Sequence, residues 1–244
     1  MKRRRMKSDF PPYHQYRPVI FPVIRAASPP PGADTPPRIR NRALSRLART
    51  ALGDSERLLA QTHSPRKRTP YPLAEKLAAG GLPKSPEGTP LPVDGTHWSL
   101  SHKPAHAGGL AAPFPVGLDI EALRPRHPRL LDKITLAGER ACFASAEPAS
   151  GPDRSGEEEL IRLFRVWTAK EAVLKLTGKG LPGLDDCRVI HVLDDRLMRL
   201  RHAGGEFQVR QIQFDGHMAA VAVRSCEPDR RTAIRWTILP PPKA

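Results

Sequence analysis

Aromatic residues are scarce: Trp, Tyr and Phe together make up 5% of the 244 residues. The chain carries no RNP-type aromatic signature, no KH-module signature and no zinc-finger spacing, which argues against the common nucleic-acid-binding modules. Its three cysteines, Cys142, Cys187 and Cys226, are widely spaced and form no CxxC pair. That excludes a disulfide framework or zinc knuckle and points to a reducing compartment. No long apolar run is present. The longest uncharged stretch, Pro104 to Leu118, is interrupted by prolines and glycines and is too short to span a bilayer. The charged start Met1–Lys7 is followed by no apolar h-region, so no secretory signal is expected and the expected location is cytoplasmic. Acidic residues are rare at the front, where residues 1–68 hold 4 Asp/Glu against 16 Lys/Arg.

Of the formal charge of +15, +12 therefore lies in that first quarter and only +3 in the remainder. A basic surface there would attract a nucleic acid, a phosphorylated cofactor or an acidic protein, and charge alone does not choose among them. Residues 1–37 are rich in Pro and Arg and read as an extended, poorly ordered leader, with a short strand possible at Val19–Ile24. Residues 38–60 read as a basic amphipathic helix, with Leu44, Leu47, Ala48, Ala51 and Leu52 at helical spacing, ending or restarting near Gly53. Strands are expected at His97–Leu100, Ala107–Ala112 and Val116–Ile120, and helices at Leu130–Ala144 and Glu157–Thr177. Four further strands follow between Arg188 and Arg224, with Asp194-Asp195 and Asp215-Gly216 as turns and a last strand possible at Ala233–Leu239. The fold class expected is α+β, with helices against antiparallel strands.

Three features carry chemistry. In Gly117-Leu118-Asp119-Ile120-Glu121 the two carboxylates are two apart on a strand, so they share a face while Leu118 and Ile120 point to a core. A hard divalent cation with oxygen ligands would relieve their repulsion, as would solvation or a nearby arginine. On the long helix Glu171 falls within an apolar stripe of Leu160, Phe164, Trp167 and Leu174, with Lys175 at i+4 and Lys170 and Lys179 on neighbouring turns as a candidate anion-binding edge. In Trp98-Ser-Leu-Ser-His102 a hydroxyl and an imidazole end a strand, where they could bond a phosphate; successive strand residues point apart, which makes Ser101 and His102 poor partners in nucleophilic catalysis.

In this order, SLSHK at 99–103, VGLDIE at 116–121 and VWTAKEAVLKLTGKGL at 166–181 resemble the 4′-phosphopantetheinyl transferase superfamily, in its larger single-chain type that activates nonribosomal peptide and polyketide synthases. The resemblance covers roughly residues 38–225 and implies two similar α/β halves in a pseudo-twofold arrangement, with the site between them. The corresponding units are a leader at 1–37, an N-terminal half at 38–114, a C-terminal half at 115–226 and a tail at 227–244.

The activity implied is transfer of 4′-phosphopantetheine from coenzyme A to a serine of an apo acyl, peptidyl or aryl carrier protein, releasing 3′,5′-ADP. The resemblance makes Asp119, Glu121 and Glu171 the magnesium (or manganese) ligands, Glu171 also the base, and Lys175 a diphosphate contact that assists the leaving group. It places Ser101, His102 and Arg49 near the nucleotide 3′-phosphate and Lys84 near the adenosine, although Pro83-Lys84-Ser85 departs from the family's usual triplet. Lys170 is expected to help offset the charge on the diphosphate. A monomer without membrane or nucleic-acid partners is the expectation. A metal-dependent phosphohydrolase using the same carboxylates is the rival enzyme reading.

Overall fold

Two β-sheets, each covered by one long helix, make up most of the molecule. The computed structural model describes residues 19–27, 36–63, 71–79, 81–125, 129–136, 138–144, 156–225 and 232–240. The α+β class is as expected. In chain order the elements are β1 (Val19–Ile20), β2 (Val23–Ala26), α1 (Pro37–His63), α2 (Pro72–Ala78), β3 (His97–Lys103), β4 (His106–Ala112), β5 (Val116–Ala122), α3 (Arg129–Ile134), α4 (Glu139–Ala144) and α5 (Gly156–Thr177). A 3₁₀ turn over Leu181–Asp186 leads into β6 (Arg188–Val192), β7 (Leu197–His202), β8 (Gly205–Phe214), β9 (His217–Arg224), β10 (Ala233–Ile234) and β11 (Thr237–Leu239).

The first sheet has the order β11-β2-β4-β3 and the second β5-β9-β8-β7-β6, while β1 pairs with β10 alone. The second is antiparallel throughout. In the first, β11 joins β2 in parallel, Thr237 opposite Val23. Two expectations are corrected by these pairings. The possible strand at Val19–Ile24 is present as β1 and β2, and with Ile20, Val23 and Ile24 fully buried this part of the expected leader is a core segment. Residues 1–18 and 28–35 of that leader lie outside the described residues. The expected last strand is divided between two pairings, both with strands from the front of the chain.

α1 opens on Pro37, where a missing N–H costs little. It buries Leu44, Ala48, Ala51 and Leu52 at the expected spacing, and each fully buried leucine stabilises by roughly 1.5–3 kcal/mol. It runs through Gly53, which has open space around it, and does not stop there as expected. The helix expected over Leu130–Ala144 is broken into α3 and α4. Glu139 accepts the Leu136 N–H at 2.6 Å, which caps the second piece.

Each long helix meets its sheet through a glycine. A Cβ on Gly109 of β4 would lie 2.2 Å from the Leu52 nitrogen of α1. A Cβ on Gly117 of β5 would lie 1.9 Å from the Ala172 carbonyl oxygen of α5. Backbone therefore packs on strand at both places, and only glycine leaves the room. Ala172 lies between Glu171 and Val173, so the contact at Gly117 brings α5's carboxylate down beside β5.

β3 and β5 are edge strands of different sheets and lie side by side. Ser99 Oγ accepts the Leu118 N–H at 2.9 Å, and Ser101 Oγ accepts the Ile120 N–H at 3.1 Å. Two serine side chains thus stand where a backbone ladder would be, and they satisfy the outward N–H groups of β5.

Candidate functional site

The period of two in β5 turns Gly117, Asp119 and Glu121 toward α5, while Leu118 and Ile120 pack on the other side against Gly108 of β4. Asp119 and Glu121 are both 3% exposed. Such carboxylates need partners, and lysines from two elements supply them. Lys175 Nζ donates to Asp119 Oδ1 at 2.7 Å, to Ser101 Oγ at 3.0 Å and to the Leu118 carbonyl at 3.1 Å. Lys103 Nζ lies 2.9 Å from Glu121 Oε1, which also accepts the Trp167 indole N–H at 2.9 Å. Asp119 Oδ2 is buried with no hydrogen-bond partner.

Glu171 stands over this pair from α5 and is partly buried. Burial pushes its carboxyl above the ordinary range, and the charges of Asp119 and Glu121 push it further, against the pull of Lys175 and Lys103. His102 is held below the usual imidazole range, first by burial and then by Lys175 and Lys103. As the side chains stand, no group of three or more His, Cys, Asp or Glu among the described residues is gathered tightly enough to hold a metal ion. Lys103 and Lys175 each bond one oxygen of a strand carboxylate.

A cleft of ≈ 260 Å³ opens beside these groups, lined by Lys84, Thr89, Trp98, Ser99, Glu171 and Lys175 among others. Lys84 is held there by a bridge to Pro90. The sequence-derived residues Lys84, Glu171 and Lys175 thus share one cleft, with Asp119 bonded to Lys175. Arg49 lies elsewhere: it lines a separate concavity between α1 and α2 with Arg46 and Arg57, which shares no residue with the first. Its link to the site is Ser45, one helical turn earlier, whose Oγ is 3.4 Å from His102 Nε2.

Two assignments are corrected. Lys170 is fully buried on the opposite flank of α5, where its ammonium donates to the Ile134 carbonyl at 2.7 Å and to Glu139 at 2.9 Å. It belongs to the core joining α5 to the α3–α4 connection and offers nothing to an anion in the cleft. Ser101 and His102 do not act as a pair. Ser101 donates to Asp119 Oδ1 and accepts from Ile120 N and Lys175 Nζ, which uses its one donor and both acceptor positions. It supports the carboxylate and has no bond left for a phosphate, whereas His102 points the other way, to α1.

Sequence reasoning missed Ser99, Lys103 and the Trp167 indole. The first two were within reach of the same period-two argument, since residues 99, 101 and 103 share a face of β3 and meet Leu118, Asp119–Ile120 and Glu121 in turn. Trp167 lies one turn before Glu171, in the apolar stripe and in the 166–181 segment that carries the resemblance, neither of which pointed to a bond with Glu121.

Carboxylates from a sheet and a long helix, flanked by lysines along a seam between two sheets, agree with a comparison over the same region. Residues 115–234 match the family model described as the 4′-phosphopantetheinyl transferase superfamily, and this segment is similar to that superfamily. Two curated relatives are similar. One is the 4′-phosphopantetheinyl transferase psf-1 of Bacillus pumilus, 34% identical over 85 residues, which is 35% of this chain and 33% of the relative. The other is slr0495 of Synechocystis sp., 35% identical over 103 residues, 40% of this chain and 39% of the relative, whose name assigns the same activity provisionally. The matched stretch thus spans between about a third and two fifths of those relatives' lengths. No helix among the described residues is long and apolar enough to cross a membrane.

Proposed function

We propose that the chain transfers 4′-phosphopantetheine from coenzyme A to a serine of an apo acyl, peptidyl or aryl carrier protein, releasing 3′,5′-ADP. The observation that carries this reading is the approach of Glu171 on α5 to Asp119 and Glu121 on β5, with Lys175 bonded to Asp119, in a segment similar to that superfamily. The donor set suits magnesium or manganese. Three carboxylates supply hard oxygen ligands, and the buried, unpartnered Asp119 Oδ2 is an acceptor without a donor. When bound there, the cation would act as a Lewis acid on the diphosphate.

The chain's own groups do the rest. Glu171, with its carboxyl raised by burial and by two neighbouring carboxylates, is a stronger base than an ordinary glutamate and would take the proton of the incoming serine hydroxyl. Lys175 would trade part of its present bonding for the diphosphate and offset charge on the departing nucleotide. Trp167 holds Glu121 in orientation, and Ser101 does the same for Asp119. Lys84 at the rim of the cleft suits the nucleotide end, and Arg49 and His102 are proposed to serve the 3′-phosphate from the α1 side. The basic outer face of α1, with Arg42, Arg46 and Arg49 exposed, would steer an acidic carrier. The two halves, each a long helix on a sheet met through a glycine, favour the pseudo-twofold reading, and a cytoplasmic monomer is the form proposed.

The test is intact mass of an apo carrier after incubation with the chain, coenzyme A and magnesium. One phosphopantetheine is expected on the carrier serine, and none with Glu171→Ala or with EDTA. Release of 3′,5′-ADP without a carrier would overturn the transferase reading in favour of hydrolysis.

A further inference from the structure

We infer that Lys103 sets the site's affinity for a divalent cation by competing with it for Glu121, an inference that rests on the cation-binding reading above. The geometry is direct. Glu121 is buried, and its Oε1 is shared by the Lys103 ammonium and the Trp167 indole, both at 2.9 Å. A carboxylate oxygen with two donors has little lone-pair capacity left for a metal. The indole is fixed in α5, whose backbone is pressed onto β5 at Gly117. Lys103 is the movable partner: it ends β3, its side chain is 34% exposed, and Glu121 is the one ion-pair partner it has among the described residues.

Charge leads to the same place. Three carboxylates face two ammonium groups, so the cluster is balanced to within one charge before any metal arrives. Lys175 is anchored by three bonds, one from each of its N–H donors, whereas Lys103 has donors to spare. A dication entering at Glu121 therefore displaces Lys103 before Lys175. The freed ammonium lies at the mouth of the site, where an anion brought with the metal would meet it. Lys103 in this account raises the cation concentration needed to fill the site and does not hold the carboxylate in shape.

The experiment is titration of the purified full chain with Mn²⁺, reading free Mn²⁺ by its EPR signal, for wild type, Lys103→Met, Lys103→Gln and Lys103→Arg. Losing a partly exposed charge partner should tighten Mn²⁺ binding about five-fold in both neutral variants, and Lys103→Arg should stay near wild type. Two neutral variants guard against one failing to fold, and far-UV circular dichroism confirms each. Equal affinity in all four proteins, or weaker binding in the neutral variants, overturns the inference while leaving cation binding intact. No Mn²⁺ bound by any of the four overturns the cation reading itself, and the inference with it.

Discussion

The two long helices use one packing solution for opposite electrostatic ends. α1 lies on β4 at Gly109 and turns arginines outward; α5 lies on β5 at Gly117 and turns Glu171 inward over two more carboxylates. The lysine and serines of β3 face the acids of β5 across the seam. A surface that only has to present positive charge can do so from several helix positions. A carboxylate that has to meet two others can do so from one, so the acidic half is the more tightly specified, and the family match falls there.

The contrast can be broken most severely on α5. Lys170→Met should cost about 3 kcal/mol in chemical denaturation, because it leaves the buried Glu139 without its ion-pair partner. Adding Glu139→Gln should recover part of that loss. Carrier modification per folded molecule should stay within about three-fold of wild type, and a hundred-fold fall would return Lys170 to the active site.

Next in size are the two glycines. Gly109→Ala and Gly117→Ala each set a methyl against helix backbone and should each destabilise by about 2 kcal/mol or more. They should differ in activity. Moving α5 shifts Glu171 and Lys175 away from Asp119, so Gly117→Ala should lose far more turnover than Gly109→Ala when both are compared well below their melting temperatures. Equal losses would mean that α1 shapes the site as much as α5 does.

The smallest expected effect is at the seam. Ser99→Ala leaves the Leu118 N–H without its acceptor and should cost about 1–2 kcal/mol, read from the shift in urea midpoint at unchanged slope. No change would show that water replaces the hydroxyl and that the two sheets hold together by packing alone.

The acidic half was the more legible. Alternation along Val116–Glu121 put Asp119 and Glu121 on one face, and apolar spacing gave α5 to within a residue. β9 came out at its expected bounds because a tight Asp215-Gly216 turn fixes where it begins. What escaped depends on distant partners. A helical lysine is ordinarily solvated, and only the Glu139 carboxylate and Ile134 carbonyl, more than thirty residues away, make Lys170 a core residue. The break between α3 and α4 goes with Glu139, which caps Leu136 three residues before it and also binds Val189, a distant partner that local spacing does not show. The strand expected as possible at Val19–Ile24 is there, as β1 and β2, but nothing local shows that Ala233–Leu239 and β4 would pair with it.

That last pairing also has a bearing on how the protein is made. Val23 leaves the ribosome 214 residues before Thr237, its neighbour in the first sheet. At about 5–20 residues per second, one edge of β2, with Val23 and Ile24 that are fully buried at the end, stays uncovered for roughly 10–40 s of synthesis. An open apolar strand edge is a template for wrong pairing, so the nascent chain is most prone to aggregate in that interval. The half that is translated first is therefore the last to be finished.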